Sequence, residues 1–159
     1  MRTSLNQIRA HSPCRDGWEK LLRGLGKTKA DDEVICIDQI LDINDLNDAL
    51  WCLRAVEGCD REIRLYAVWC ARRAQHLMTD SRSVAALDVA ERFARGEASD
   101  AELAAAARAA EAAEAAEAAA GAAGAAARAA GAAGATTIER EAQAEELRRV
   151  CREMREGGR

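Results

Sequence analysis

Residues 44–77 read NDLNDALWCLRAVEGCDREIRLYAVWCARRAQHL, and the spacing of their apolar side chains decides the fold. Asn44 stands where a helix N-cap belongs, and Leu46, Leu50, Leu53 and Val56 then recur at helical spacing up to Gly58. Asp60 starts a second run, which carries Ile63, Tyr66, Ala67, Cys70, Ala74 and Leu77. Side chains at that interval fall on one face of a helix, whereas strand side chains change face at every residue. Two amphipathic helices parted by a glycine stop predict an all-α chain.

The same reading extends in both directions. Ser12-Pro13 predicts an N-cap followed by Pro at the first helical position, with Trp18, Leu21, Leu22 and Leu25 on one face and Gly24 and Gly26 as the stop. Asp31 or Asp32 is expected to cap a segment striped by Val34, Ile37, Ile40 and Leu41, although Val34-Ile35-Cys36-Ile37 also has strand propensity. Asp80 or Ser81 opens a helix with Val84, Leu87, Ala90 and Ala94 inward and Gly96 at its end. The prediction is an all-α bundle of about five helices over residues 1–98. Residues 99–159 follow as a long Ala-rich helical arm and a C-terminal helix, packed on the core or extending from it.

Residues 101–135 hold 24 Ala. Ser99-Asp100-Ala101-Glu102 is a capping box that launches this tract, and Thr136-Thr137-Ile138-Glu139 repeats the signal, predicting a separate final helix over 137–156. Gly121, Gly124, Gly131 and Gly134 each weaken the helix by about 1 kcal/mol relative to Ala. The AAE, AAG and AAR triplets do not match the helical repeat, so the polar stripe drifts around the axis. A thin helix packed closely on a neighbour is expected. As one straight rod it would reach about 50 Å, and a hairpin is the alternative.

The chain has 159 residues, enough for one ordinary domain. Buried Ala methyls contribute about 0.8 kcal/mol each, against roughly 1.5–3 for Leu, Ile or Phe, so the core is expected within residues 5–93. The N-terminus shows no apolar leader, and no 18-residue apolar run is present to span a bilayer. Arg108, Glu111, Glu114, Glu117 and Arg128 interrupt the Ala tract. These features predict a cytoplasmic protein without membrane contact. Cys14, Cys36, Cys52, Cys59, Cys70 and Cys151 are accordingly read as reduced, buried thiols.

The residue pattern speaks against several chemistries. Gly24-Leu25-Gly26-Lys27-Thr28 ends like a phosphate loop, but position 21 is Leu where that motif needs Gly, and a helix precedes it. It reads as a glycine-terminated helix end. His11 and Cys14 form a lone close pair, with no CxxC or HxxxH to complete a metal set. A cysteine nucleophile would need a positioned base, for which no local signature exists. Trp18, Trp51 and Trp69 sit at amphipathic helix positions and read as core. Arg61, Arg64, Arg72 and Arg73 read as intramolecular partners of nearby acids. No catalytic residue, cofactor or metal is assigned, and the protein is expected not to be an enzyme.

Charge is the feature that remains. The net charge of −4 argues against direct nucleic-acid binding. Residues 1–30 carry seven Lys or Arg against two acids, whereas residues 31–62 carry ten acids against two Arg. Asp31, Asp32, Glu33, Asp38, Asp42, Asp45 and Asp48 are therefore the candidate partner-binding residues. On helices, Asp38, Asp42, Asp45 and Asp48 would form a negative strip able to steer a basic protein and imitate a phosphate backbone. An ordinary solvated face is the plainer alternative.

The stretches SPCRDGWEKLLRGLGKTKADDE (12–33), LNDALWCLRAVEGCDREIRLYAVWCARRAQHLMTD (46–80) and SRSVAALDVAERFARGEASDAELAAA (81–106) resemble a family of small bacterial and bacteriophage immunity proteins. Members of that family have an Ala-rich tail and a helix like AQAEELRRVCREM (142–154). The resemblance covers nearly the whole chain. It departs in the tail, where Gly stands in positions that relatives often fill with Trp. It implies an all-α cytoplasmic protein that neutralises a toxin, and it brings no catalytic motif. The expected partner is a toxin, a nuclease or a defence complex such as a CRISPR effector. The competing expectation is a self-associating or scaffolding protein that forms a homodimer through the Ala-rich helix.

Overall fold

In the computed structural model, residues 1–120 and 125–157 are described, without the side chains of 113–136. The fold is all-α with one small sheet. Strand β1 (Arg2–Ser4) pairs antiparallel with β2 (Val34–Cys36), in the register Arg2–Cys36, Thr3–Ile35 and Ser4–Val34. Helix α1 (Leu5–Ala10) follows β1, and α2 (Arg15–Gly24) precedes β2. Then come α3 (Ile37–Ile43), α4 (Leu46–Cys52), α5 (Asp60–Arg73), α6 (Ser81–Ala94), α7 (Asp100–Ala120) and α8 (Ala125–Glu156).

The sheet corrects the helical reading of residues 34–36. Strand propensity wins there because β1 supplies a ladder, and Ile35 points into the core at 2 % exposure while Val34 faces out. Cys36 then turns the chain into α3, its N–H donating to Gln39 Oε1 at 2.9 Å. The short α1 has no clear periodic signal. It is started by Ser4, whose Oγ accepts the Gln7 N–H at 3.2 Å.

Caps also fall differently from the sequence expectation. Ser12 adopts φ +56 and caps nothing, and Cys14 starts α2 by accepting the Gly17 N–H at its Sγ. Asn44 closes α3, its N–H reaching Ile40 O at 2.8 Å, and Asp45 next to it caps α4 by accepting the Asp48 N–H at 3.0 Å. At the end of α2 the glycine stop holds. Gly26, at φ +68, donates to Arg23 O while Lys27 N–H reaches back to Leu22 O, a Schellman closure that needs a left-handed residue. Helix α5 stops at Arg73, so Leu77 lies in a short 3₁₀ turn and is 71 % exposed.

Cα packing groups the chain into two units, Met1–Cys59 with Arg140–Arg159, and Asp60–Glu139. The division at residues 98 and 99 drawn from composition does not coincide with this one. The first unit holds the dense core: Leu5, Ile8, Ile37, Ile40, Leu147 and Cys151 are its largest fully buried side chains. Residues 140–156 of α8 are bound into that core by Leu147 and Cys151, and at its edge by Arg148–Asp42 (2.7 Å) and Arg155–Asp38 (2.6 Å).

In the second unit α6 packs against both α5 and α7. Among its described side chains, Tyr66, Val68 and Ala94 are below a tenth exposed. Polar contacts supplement them. Arg72 bridges Asp88 (2.6 Å) and Glu91 (3.0 Å), and Arg92 meets Glu102. The capping box forms as expected: Ser99 N–H donates to Glu102 Oε2 at 2.8 Å and Glu102 N–H to Ser99 Oγ at 3.3 Å.

Helix α8 runs from Ala125 through Thr136–Glu139 without a break, so the second capping signal starts no new helix. An N-cap requires extended backbone, and a helix already propagating gains another hydrogen bond by continuing. Whether 101–135 forms one rod or a hairpin turns on residues 121–124, which lie outside the described residues. Among the described residues no helix is long and apolar enough to cross a membrane.

Candidate partner-binding site

The seven acidic candidates divide by their partners. Asp31 and Glu33 both receive Lys27 Nζ, at 2.5 and 2.6 Å, and those hydrogen bonds raise the lysine pKa and lower that of Asp31. Lys27, the residue in the phosphate-loop lysine position, is thus occupied within its own loop. Asp38 pairs with Arg155 and Asp42 with Arg148, so these two carboxylates hold α8 to α3. Asp32 accepts the neutral Asn6 amide, at 2.9 Å. Asp45 and Asp48 meet no cation within ion-pair distance among the described residues.

The continuous strip expected from spacing is therefore not available as free charge. Asp38 and Asp42 are engaged with arginines from a distant part of the sequence. Among the described residues, the candidate carboxylates left without a counter-ion are Asp32, Asp45 and Asp48.

Asp48 sits in a recess of about 70 Å³ in the first unit, lined by Ile8, Pro13, Cys14, Gly17, Trp18, Leu21, Ile40, Asn44, Asp48, Trp51 and Cys52. The corner between α3 and α4 builds it. Asn44 Nδ2 donates to Asp48 Oδ2 at 2.7 Å and to Gly17 O at 2.9 Å, which fixes the orientation of the amide. Its Oδ1 is left as a buried acceptor with no partner. Lys20 Nζ caps the same corner on Asn44 O at 2.7 Å. Gly17 permits the close approach of α2, because a Cβ there would stand 2.9 Å from Asp48 Oδ2 and 3.1 Å from Cys14 Sγ.

The tryptophans read as core are only half-buried. Arg54 lies over the Trp51 ring at 4.3 Å, and Arg73 over Trp69 at 5.1 Å. Trp18 and Trp51 line the recess. Arg73 also meets Glu139 at 2.8 Å and Arg64 covers Phe93, so Arg64, Arg72 and Arg73 are engaged within the second unit.

All six cysteines are free thiols. Cys52, Cys59 and Cys151 are buried as expected, Cys36 and Cys70 are half-buried, and Cys14 departs from the expectation by standing exposed at its N-cap. Burial, with the Asp48 charge adding to it, pushes the Cys52 thiol up to about 12, and burial raises Cys151 as well. Both are poor nucleophiles near neutral pH. Among the described residues no group of three or more His, Cys, Asp or Glu is placed to hold a metal ion.

Sequence spacing pointed to Asp45 and Asp48 but not to their neighbours across the recess. Pro13, Cys14, Gly17 and Trp18 come from α2 and the residues that start it, far away in sequence, and no periodic signal links them to residues 44–52. No family model matches the chain, and neither a curated protein nor a solved structure matches it.

Proposed function

We propose that the protein is a non-enzymatic binding protein that inhibits a toxin or a host defence effector, an anti-CRISPR type of activity included, by covering its basic working surface. The observation that carries this reading is the separation of the acids into two groups. Asp38 and Asp42 neutralise arginines that hold the fold together, whereas Asp45 and Asp48 meet no cation among the described residues and Asp48 lines a mostly apolar recess. Uncompensated carboxylates beside aromatic surface suit a basic protein, because charge steers the encounter and the apolar part supplies contact area. The resemblance of the sequence to immunity proteins points the same way.

The pairing pattern dictates the test. Reversing Asp38 or Asp42 would break α8 contacts and report on folding, so the informative variants are Asp45→Asn and Asp48→Asn. Asn keeps the capping capacity at position 45 and the shape at 48 while removing charge. Affinity capture from the native host with quantitative mass spectrometry should show a basic protein retained by the native chain and lost from the double variant, with helicity unchanged. Retention of the same protein by both forms contradicts the acidic-face reading.

A further inference from the structure

Resting on that reading of the α3–α4 corner as the partner face, we infer that the recess beside Asp48 receives the guanidinium of an arginine side chain on the partner. The lining combines aromatic rings, Trp18 and Trp51, with one carboxylate, Asp48, the Asn44 amide, and apolar groups such as Ile8, Leu21 and Ile40. An anionic group would meet Asp48 at close range. A purely aliphatic group would bury that carboxylate without a counter-charge, which is unfavourable. A cation with an apolar, flat body satisfies both parts of the lining. Arginine fits this description better than lysine, because its planar, weakly hydrated head stacks on indole and forks onto a carboxylate.

Two features of the chain support that choice. Trp51 already carries a guanidinium, that of Arg54, with Cζ 4.3 Å from the ring centroid, so this indole accepts arginine in its native setting. The recess of about 70 Å³ is also of the right scale. A single water needs about 10–15 Å³, so the space admits a group of several non-hydrogen atoms such as a guanidinium. The carboxylate is pre-positioned as well. Asn44 holds Asp48 Oδ2, and the absence of a side chain at Gly17 leaves that oxygen its place over α2.

The test is a titration of ¹⁵N-labelled full-length protein with N-acetyl-arginine methylamide at low ionic strength, following the indole N–H resonances. The Trp18 and Trp51 signals should move saturably while Trp69 stays still. The neutral citrulline analogue should bind about tenfold more weakly, and Asp48→Asn should erase the difference between the two ligands. Trp51→Phe, which preserves an aromatic wall, should weaken binding without changing helicity. An equal response to arginine and citrulline, equal movement of Trp69, or a linear response without saturation overturns the proposal. If the titration fails while Asp45→Asn with Asp48→Asn still releases the captured partner, the arginine site alone is refuted. A saturable titration with capture indifferent to both substitutions refutes instead the partner-face reading on which it rests.

Discussion

Asn44 Nδ2 donates to Asp48 Oδ2 at 2.7 Å, so the residue that closes α3 holds the carboxylate in the first turn of α4. The same amide nitrogen reaches Gly17 O, and one side chain thereby ties three helices together. Asn44→Ala should cost about 1 kcal/mol in urea unfolding, since it loses these hydrogen bonds but also removes an unpartnered buried carbonyl. Asn44→Asp should cost more at neutral pH, because a second carboxylate would face Asp48. The reverse order of the two variants contradicts the assignment.

Leu147 is fully buried and belongs, with Cys151, to the core formed by Leu5, Ile8, Ile37 and Ile40. Leu147→Ala should destabilise the first unit by about 2–5 kcal/mol. Leu77 is 71 % exposed, so Leu77→Ala should stay within about 0.5 kcal/mol of the native chain. Chemical denaturation of both variants checks the placement of residues 140–157. Similar losses at the two positions would refute it.

Gly24 lies in α2, where Ala would ordinarily gain about 1 kcal/mol. A Cβ at that position would stand 2.3 Å from Ile43 Cγ2, however. Overpacking of that kind costs about 1–3 kcal/mol, so Gly24→Ala should be a net loss. In an Ile43→Ala background the same change should become favourable. Thermal unfolding of the double-mutant set reads the sign.

Arg82 donates to the Asp80 carboxylate from its side chain and its backbone N–H, and holds that carboxyl down to about 2. The folded value lies below the unfolded one of about 3.9, so the stabilising contribution is complete above about pH 4. It is lost as pH falls through about 2. Carboxyl ¹³C titration should find Asp80 near that value, and Arg82→Gln should return it toward the ordinary range. An unchanged titration in the variant would show that the arginine is not the cause.

The all-α class was legible because helical spacing is a local property. Leu46 and Tyr66 bury as expected, but α4 ends at Cys52 and its run buries Leu46, Ala49, Cys52 and Ala55, leaving the expected Leu50, Leu53 and Val56 half-buried. What escaped the sequence depends on partners remote in the chain. Ile35 becomes a strand residue because Thr3 lies opposite it, and Asp42 loses its free charge because Arg148 docks beside it. Cap positions shifted by one or two residues at Asn44 and Cys14, where neighbouring residues offer competing acceptors. Of the site, Asp45 and Asp48 were readable as charge. The recess was not, since Trp18 and Trp51 share the period of core residues and only the folded chain shows them half-exposed.

The central claim is that this protein acts through the exterior around Asp45, Asp48 and the Trp18–Trp51 recess. Hydrogen–deuterium exchange on the native chain, alone and bound to the partner captured by it, addresses that most directly. The account predicts added protection in residues 13–21 and 44–54, with α5, α6 and α7 exchanging as in the free protein. Protection confined to the Ala-rich helices, with the recess unchanged, would contradict it.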